Sequence, residues 1–513
     1  MFLSKSAGVL VVITLAIGAV TAQDAPSGFR AFISDITSPG IDNGVRDADA
    51  PRPPRPYPTD LTSLTGGAPY LRGSIVVKFR PGTAPAARHV MLEHAGASKM
   101  DTPPYADFNI VTIDDNADPE AAAAALAQQP DVEYAQARYR MHPMFVPNDP
   151  LYSMQWNYPA IDMERAWDLN PGATSSIVVA VIDSGVAYRS AVLRRNIPAW
   201  HASNGATTFN FPALGVIDIP FAAAPDLAGT DRFVAPRDFI WNDTDPLDFD
   251  GHGTHVSGTI GQLTNNGIGV AGMAFNVRIM PVKVIDSLWD DILASPFQGT
   301  DDVVARGVRY AVDSGAKVLN LSIGRTGPPS PLLQEALIYA TTHGAFVSVA
   351  AGNDFEQGNP TEWPAAYANS IQGVVAVGAI GRDRQRAFYS TTGPYVEIAA
   401  PGGNQRVGGT TGGILQQTFD FGFVETYANG PARYGPPRFD VFAYQFFQGT
   451  SMAAPHVSGF AALLMQQGIT SPAAIEAAME QFATDLGPSG RDDQYGYGLI
   501  NPRAALRGLG LAK

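Results

Sequence analysis

The sequence predicts an α/β protein built on a doubly wound, mostly parallel sheet with helices on both faces, preceded by a small α+β domain. Three observations carry this reading. Five runs, "SIVVAVID", "RIMPVKVI", "KVLNLSI", "AFVSVAAG" and "GVVAVGAI", are β-branched and apolar without alternation, as strands covered on both faces are. Between them lie helical stretches such as "TDDVVARGVRYAVDSG" and "PLLQEALIYATTHG", which supply the crossovers that parallel strands require. Ahead of them, residues 71–142 hold a short alternation of strand-like and helix-like segments.

In chain order, the opening "MFLSKSAGVLVVITLAIGAVTAQDA" has Lys5, an apolar run from Ala7 to Val20 and a small-residue "VTA" ending. The run is short for a bilayer span, and the ending suits cleavage after Ala22, so residues 1–22 read as a secretory signal. A secreted, extracellular protein is expected, with a periplasmic or surface-associated location as the variant. No later segment is apolar enough to span a membrane once the signal is removed. Residues 23–70 are rich in Pro, Asp, Ser and Gly, including "DAPRPPRPYPTD"; with no apolar periodicity they form a disordered linker.

Within residues 71–142, "SIVVKF", "FNIVTI" and "DVEYAQ" read as strands and "APAARHVMLEHAG" and "DPEAAAAALAQQ" as helices, the second opened by Asp118 and Pro119. Pro143, Pro147 and Pro150 mark a second linker, and the large domain occupies residues 148–513. Composition fits folded, loop-rich domains: 45% hydrophobic, 16% charged, 52 Gly and 41 Pro in 513 residues. A formal charge of −14 without a Lys/Arg-rich run excludes a nucleic-acid partner, which needs cations to displace counterions. The absence of cysteine excludes disulfides and thiolate metal sites.

In open α/β sheets ligands gather at the carboxyl ends of the strands, and three candidate residues stand at element ends. Asp183 closes "VVAVID"; His252 lies in "DGHGTHVSGTI" before a helix; Ser451 follows "YQFFQGT" and opens the Ala-rich helix "MAAPHVSGFAALLMQQ". Each alone reads as a cap or a packing residue. Together they form a relay in which imidazole takes the hydroxyl proton and carboxylate holds its tautomer. Asn353, in "SVAAGND" at another strand end, offers an amide to a developing oxyanion, and the helix N-terminus at Ser451 offers a backbone N–H.

The segments "VVAVIDSGV", "DGHGTHVSGTI", "SVAAGND" and "GTSMAAPHVSG", in the order Asp, His, Asn, Ser, resemble the subtilisin-like serine proteases, or subtilases. The resemblance runs from "NDPLYSMQWNY" to "YGYGLINPRAAL". It implies a subtilisin-like fold and a serine endopeptidase with Asp183, His252 and Ser451 as triad and Asn353 as oxyanion donor. Polypeptides are then the substrates. Ser322, Ile323 and Gly324 would border the pocket for the residue before the scissile bond, with Ala350, Ala351 and Gly352 opposite. Small walls suggest a roomy apolar pocket and broad specificity. Gly299 to Asp302 would line another edge, their two carboxylates favouring cationic side chains.

The resemblance also implies that residues 71–142 are an inhibitory propeptide, an intramolecular partner removed by self-cleavage between Ala137 and Asn148. The chemistry requires no cofactor. A structural calcium is implied at the loop "TNNGIGVAG", with Asn266 and Asp149 as candidate ligands, although "AYRSAVLRR" lacks the acidic residue the family usually carries there. The string "NDTDPLDFDG" (Asp243, Asp245, Asp248, Asp250) reads as a solvated loop in preference to a substitute site, and His255 and His456 read as packing residues. Residues 188–238 and 403–438 are long for the family, the second reading as surface loop. A catalytically silent subtilase-like binding protein is the alternative, and it would lack a triad member. An α/β-hydrolase esterase would need G-x-S-x-G and the order Ser, acid, His; "GTSMA" and the chain order meet neither requirement.

Overall fold

The computed structural model describes residues 70–508, apart from 95, 98, 140–144, 204–207 and 230. The expected signal and Pro-rich linker lie outside the described residues. Contact density divides the described residues into two compact units, one ending at Phe145 and one running from Val146 to Gly508.

The smaller unit is a four-stranded antiparallel sheet. Strands β1 (Tyr70–Phe79), β2 (Lys99–Asp101), β3 (Asn109–Thr112) and β4 (Val132–Tyr139) stand in the order β2-β3-β1-β4. Two helices, Pro85–His94 and Pro119–Ala127, complete it. Its core is the inward face of alternating residues Ile75, Val77 and Phe79 with Val111, packed on Leu92, Ala123 and Leu126. The second helix starts where the sequence predicts: the Asp118 carboxylate accepts the Glu120 N–H and Pro119 takes the first helical position. The short β2 went unread in the sequence.

The larger unit contains a seven-stranded sheet. Its members are β5 (Val178–Asp183), β10 (Arg237–Asp238), β11 (Arg278–Lys283), β12 (Val318–Leu321), β13 (Phe346–Ala350), β14 (Val374–Ile380) and β15 (Val396–Pro401). The order is β10-β11-β5-β12-β13-β14-β15, with parallel pairing throughout. All five runs read from sequence are strands here, and β5, β12, β13 and β14 are buried at every position. The crossover helices Asp301–Asp313 and Pro331–Thr342 bury Val304, Val308, Leu333 and Leu337 against one layer of that core. The Thr450–Gln466 helix, almost wholly buried, packs against β12, β13 and β14. No helix among the described residues is long and apolar enough to cross a membrane.

The two long insertions form structure. Residues 188–238 carry the hairpins β6 (Ala191–Ile197) with β9 (Gly215–Phe221) and, nested inside, β7 (Trp200–Ser203) with β8 (Thr208–Phe211). Residues 403–438, expected as surface loop, contain β16 (Ile414–Phe419), which is buried at every position and pairs antiparallel with β17 (Phe442–Phe447). Phe221 stacks on Phe439, ring centroids 4.7 Å apart, and Trp200 meets both Tyr427 and Tyr434, so aromatic contacts lock the first insertion to the second.

Candidate active site

Three adjacent strands, β5, β12 and β13, end at the site. They deliver Asp183, Ser322 to Gly324 and Ala350 to Asn353 respectively.

Asp183 is fully buried, and its Oδ1 accepts hydrogen bonds from Ser184 N–H and from His252 Nδ1, each 2.7 Å long. His252 opens the helix His252–Gly261, whose first-turn N–H groups have no partners within the helix. Side chains outside the helix receive them. His252 N–H donates to Asp250 Oδ1 (3.1 Å), Gly253 N–H to Ser184 Oγ (3.0 Å) and Thr254 N–H to Asp248 Oδ2 (3.0 Å). Gly253 has to be glycine, because a Cβ there would overlap the Gly185 carbonyl oxygen. Burial alone would lower the His252 pKa; the adjoining Asp183 carboxylate, with Asp250 and Asp248 beyond it, pushes it up to about 9.

Asp248 is the hub of this arrangement and was not foreseen. Its two buried oxygens accept from Ser184 Oγ, Asp250 N–H, Gly251 N–H, Thr254 N–H and Thr254 Oγ. The acidic string is therefore no solvated loop where it matters. Asp245 pairs with Arg189 and Tyr188. Leu247 O accepts from Lys283 Nζ, a fully buried ammonium that is itself paired with Asp290 at 2.8 Å. The only signal in the sequence was the density of acids just before His252.

Ser451 is the second residue of the helix Thr450–Gln466. Its hydroxyl donates to Ser322 O (3.1 Å), and Ser322 Oγ donates back to Ser451 O (2.7 Å). The Asp183–His252 half of the relay is thus assembled, while the serine hydroxyl sits on a neighbouring carbonyl instead of the imidazole. The Asn353 amide is oriented by Thr450, whose N–H (2.9 Å) and hydroxyl (3.0 Å) both donate to Oδ1, leaving Nδ2 free to point elsewhere. Thr450 Oγ in turn accepts Gly352 N–H. Gly449 has φ 155°, a conformation reserved for glycine. A Cβ on it would stand 3.6 Å from both Asn353 Nδ2 and Ser451 N, so its bare backbone leaves open the space those two donors share.

The expected pocket residues are placed unevenly. Ser322 touches Ser451, and Gly324 and Gly352 are half-buried beside one another's neighbours. Ile323 and Ala351 turn into the hydrophobic core, and Ala350 is also buried. Gly299 is held by Asp286 through its N–H. Of the carboxylates after it, Asp301 forms a two-pronged pair with Arg325, while the exposed Asp302 accepts Thr300 Oγ through one oxygen.

Asp149 and Asn266 do meet in one loop, but donors face their oxygens. Asp149 accepts Asn265 N–H (2.8 Å) and Asn266 N–H (3.3 Å), and Asn266 Oδ1 accepts Ile268 N–H (2.8 Å). Asn266 Nδ2 donates to Asp226 Oδ1 at 2.8 Å. The other Asp226 oxygen takes Val270 N–H and the Tyr444 hydroxyl. A calcium site needs converging acceptors; Asp149 and Asp226 bring two carboxylates to this loop, and each also accepts donors from the protein itself. Asp226, from the first insertion, was missed because it is remote in sequence. His255 stacks on Phe447 and binds Ile414 O and Gln445 O through Nε2, and burial pushes its pKa down to about 3. His456 is likewise neutral, between Met452 O and Asn157, with a pKa lowered by burial to about 4. Both are packing residues.

Comparison with known proteins follows from this geometry. The model of the subtilase family matches residues 174–498, and that of the fervidolysin N-terminal prodomain matches residues 58–137. A thermophilic serine proteinase of Bacillus sp. (strain AK1) is 31% identical over 441 residues, covering 85% of this chain and 88% of its own. Thermitase of Thermoactinomyces vulgaris is 33% identical over 365 residues, 71% of this chain and all of its own. A protease structure from Pseudoalteromonas arctica superposes with TM-score 0.53 at 28% identity, covering 72% of this chain and all of that one.

Two predictions follow from the supports of the site. Asp248→Ala strips five buried donors of their acceptor, so we expect a loss of about 3 kcal/mol or more in urea unfolding, together with depressed turnover; a loss below about 1 kcal/mol would contradict the hub assignment. Because protein groups close the Asp149–Asn266 loop, EDTA should leave the melting temperature of the isolated enzyme unchanged, whereas Asp226→Ala should lower it. A large fall with EDTA alone, reversed by calcium, would show that the loop binds the ion.

Proposed function

The chain belongs to the subtilase family of serine peptidases, and within it we propose a secreted endopeptidase that works through an acyl-enzyme on Ser451. The observation that carries the reading is the buried Asp183–His252 hydrogen bond, with the Asn353 amide and the Ser451 N–H sharing the open space beside Gly449. Rotation about the Ser451 Cα–Cβ bond, a step between staggered wells, moves the hydroxyl off Ser322 O and toward His252. Nε2 then takes its proton as Oγ attacks the peptide carbonyl carbon. Asp183 holds the Nδ1 proton and stabilises the imidazolium. Asn353 Nδ2 and Ser451 N–H receive the oxyanion. The imidazolium protonates the leaving amine, and water, deprotonated by the same base, releases the acyl group.

The smaller unit acts as an intramolecular propeptide in this reading, supported by its match to a prodomain family. Ala137 is buried within β4 and paired to Ile75. A bond inside a paired strand is a poor substrate, so the self-cleavage point narrows to the stretch after Tyr139 and before Asn148. Secretion rests on the N-terminal signal read from the sequence.

Ser451→Ala should abolish peptide hydrolysis and leave the precursor at full length, while Asn353→Ala should keep the fold and lose about 10² to 10³ in kcat. Processed precursor or near-normal hydrolysis in pure Ser451→Ala protein would refute the assignment. The pH profile gives a second check. A general base acts only when neutral, and His252 keeps its proton up to about pH 9. Thus kcat/KM should climb through neutrality with its midpoint near pH 9 and level off only above that, and Asp250→Asn, which removes a nearby negative charge, should move that limb to lower pH. A flat profile between pH 6 and 9 would contradict the assignment of His252 as base.

A further inference from the structure

A carboxylate that no sequence pattern flagged lies between the two walls expected to flank the substrate side chain. A Cβ built on Gly352 would clash with the Glu362 side chain, coming within 2.8 Å of Cδ, and one built on Gly324 would lie 3.5 Å from Glu362 Oε2. Glu362 therefore runs beneath Gly352 and reaches toward Gly324, spanning the gap between the turns that follow β13 and β12. It is 4% exposed. Its backbone is fixed: Glu362 N–H donates to the Tyr395 hydroxyl, and Trp363, the next residue, pairs with Arg325 through two hydrogen bonds of 2.8 Å.

The carboxylate lacks a counter-charge. Among the described residues Glu362 has no salt-bridge partner, and Arg325, one residue beyond Gly324, gives its guanidinium to Asp301 and to the carbonyls of Thr326 and Pro328. The charged group facing Glu362 is a second acid, Asp354, the residue after Asn353; burial first, and then Asp354, push the Glu362 carboxyl up to about 8. Two acids this close, one of them buried, share one proton between them unless a cation takes its place.

We propose that Glu362, backed by Asp354, makes this enzyme select Lys or Arg as the residue on the acyl side of the scissile bond. The proposal rests on the peptidase reading above and on Ser322–Gly324 and Ala350–Gly352 as pocket walls. It replaces the roomy apolar pocket expected from small wall residues: the glycines admit a long unbranched stem, and the acid at the end receives its charged head. A cationic head displaces the shared proton and pairs with both acids, whereas an apolar side chain gains no such partner, and this difference sets the preference.

The test uses matched peptides that differ only in Arg or Leu before the scissile bond, with processed wild-type enzyme, Glu362→Gln and Asp354→Asn. We expect the wild type to favour Arg by about tenfold or more in kcat/KM. Glu362→Gln should cut the Arg-to-Leu ratio by about tenfold, mainly through KM for the Arg peptide. Asp354→Asn should move the ratio the same way by less. Because both peptides are read on one sample, loss of folded enzyme cancels from the ratio. A wild type that favours Leu, or a ratio unmoved in Glu362→Gln, overturns the proposal while leaving the peptidase reading intact, provided a serine-directed phosphonate still labels Ser451. Absence of both labelling and cleavage in the wild type would overturn the two together.

Discussion

The rest of the structure depends on the 2.7 Å hydrogen bond between Asp183 and His252. Both groups are shielded from water, 0% and 6% exposed, and the second Asp183 oxygen has no hydrogen-bond partner among the described residues. A carboxylate so poorly solvated is costly while its neighbour is neutral and much less so once that neighbour carries a proton. The arrangement therefore favours the imidazolium, the state that the proposed attack by Ser451 would create. The same field holds His252 protonated in the resting enzyme up to about pH 9. Stabilising the charged intermediate and keeping a free base at neutrality pull in opposite directions, and this site leans toward the first.

That contact needs a rigid frame, because catalytic groups displaced by even half an ångström lose much of their effect. The frame is polar. Asp248 ties the turn after β5 to the first turn of the His252 helix through Ser184 and Thr254. Lys283, at the end of β11, grips the same loop at Leu247 O and lies 4.3 Å from the Phe249 ring centre. Buried charges of this kind add little net stability against an apolar core of the same shape. They do fix one geometry, since each donor and acceptor accepts only a narrow range of positions.

The parts legible in the sequence were those whose signal is local. Uninterrupted β-branched runs gave five of the seven sheet strands; β15 was missed although "VEIAAP" is buried throughout, and the two-residue β10 is too short to read. The positions of Asp183, His252, Asn353 and Ser451 at element ends were legible because each lies beside glycines that punctuate the chain. β16 was missed because "GGTTGG" just before it reads as surface loop and "ILQQTF" itself carries the polar Gln416, Gln417 and Thr418. All three are buried, with partners far along the chain: Ala271 O, Asp226 N–H and Gly251 O. Asp248 was read as part of a solvated loop and Glu362 was not singled out for the same reason, because what defines each is a set of neighbours that only the fold assembles.

The missed β16 also explains why the insertions belong to the catalytic frame. Thr418, on β16, donates to Gly251 O, the residue that precedes His252, and Gln417 accepts the N–H of Asp226 in the first insertion. Asp226 then holds Asn266 and Val270, and Tyr444 on β17 closes the same loop from the other side. A cation in such a loop would draw several oxygens together with one charge; here a carboxylate, an amide and a phenol join them by directed hydrogen bonds. The two insertions, interlocked through Trp200 with Tyr427 and Tyr434, thus brace the start of the His252 helix from outside the sheet, and the position of His252 depends on them as well as on Asp183.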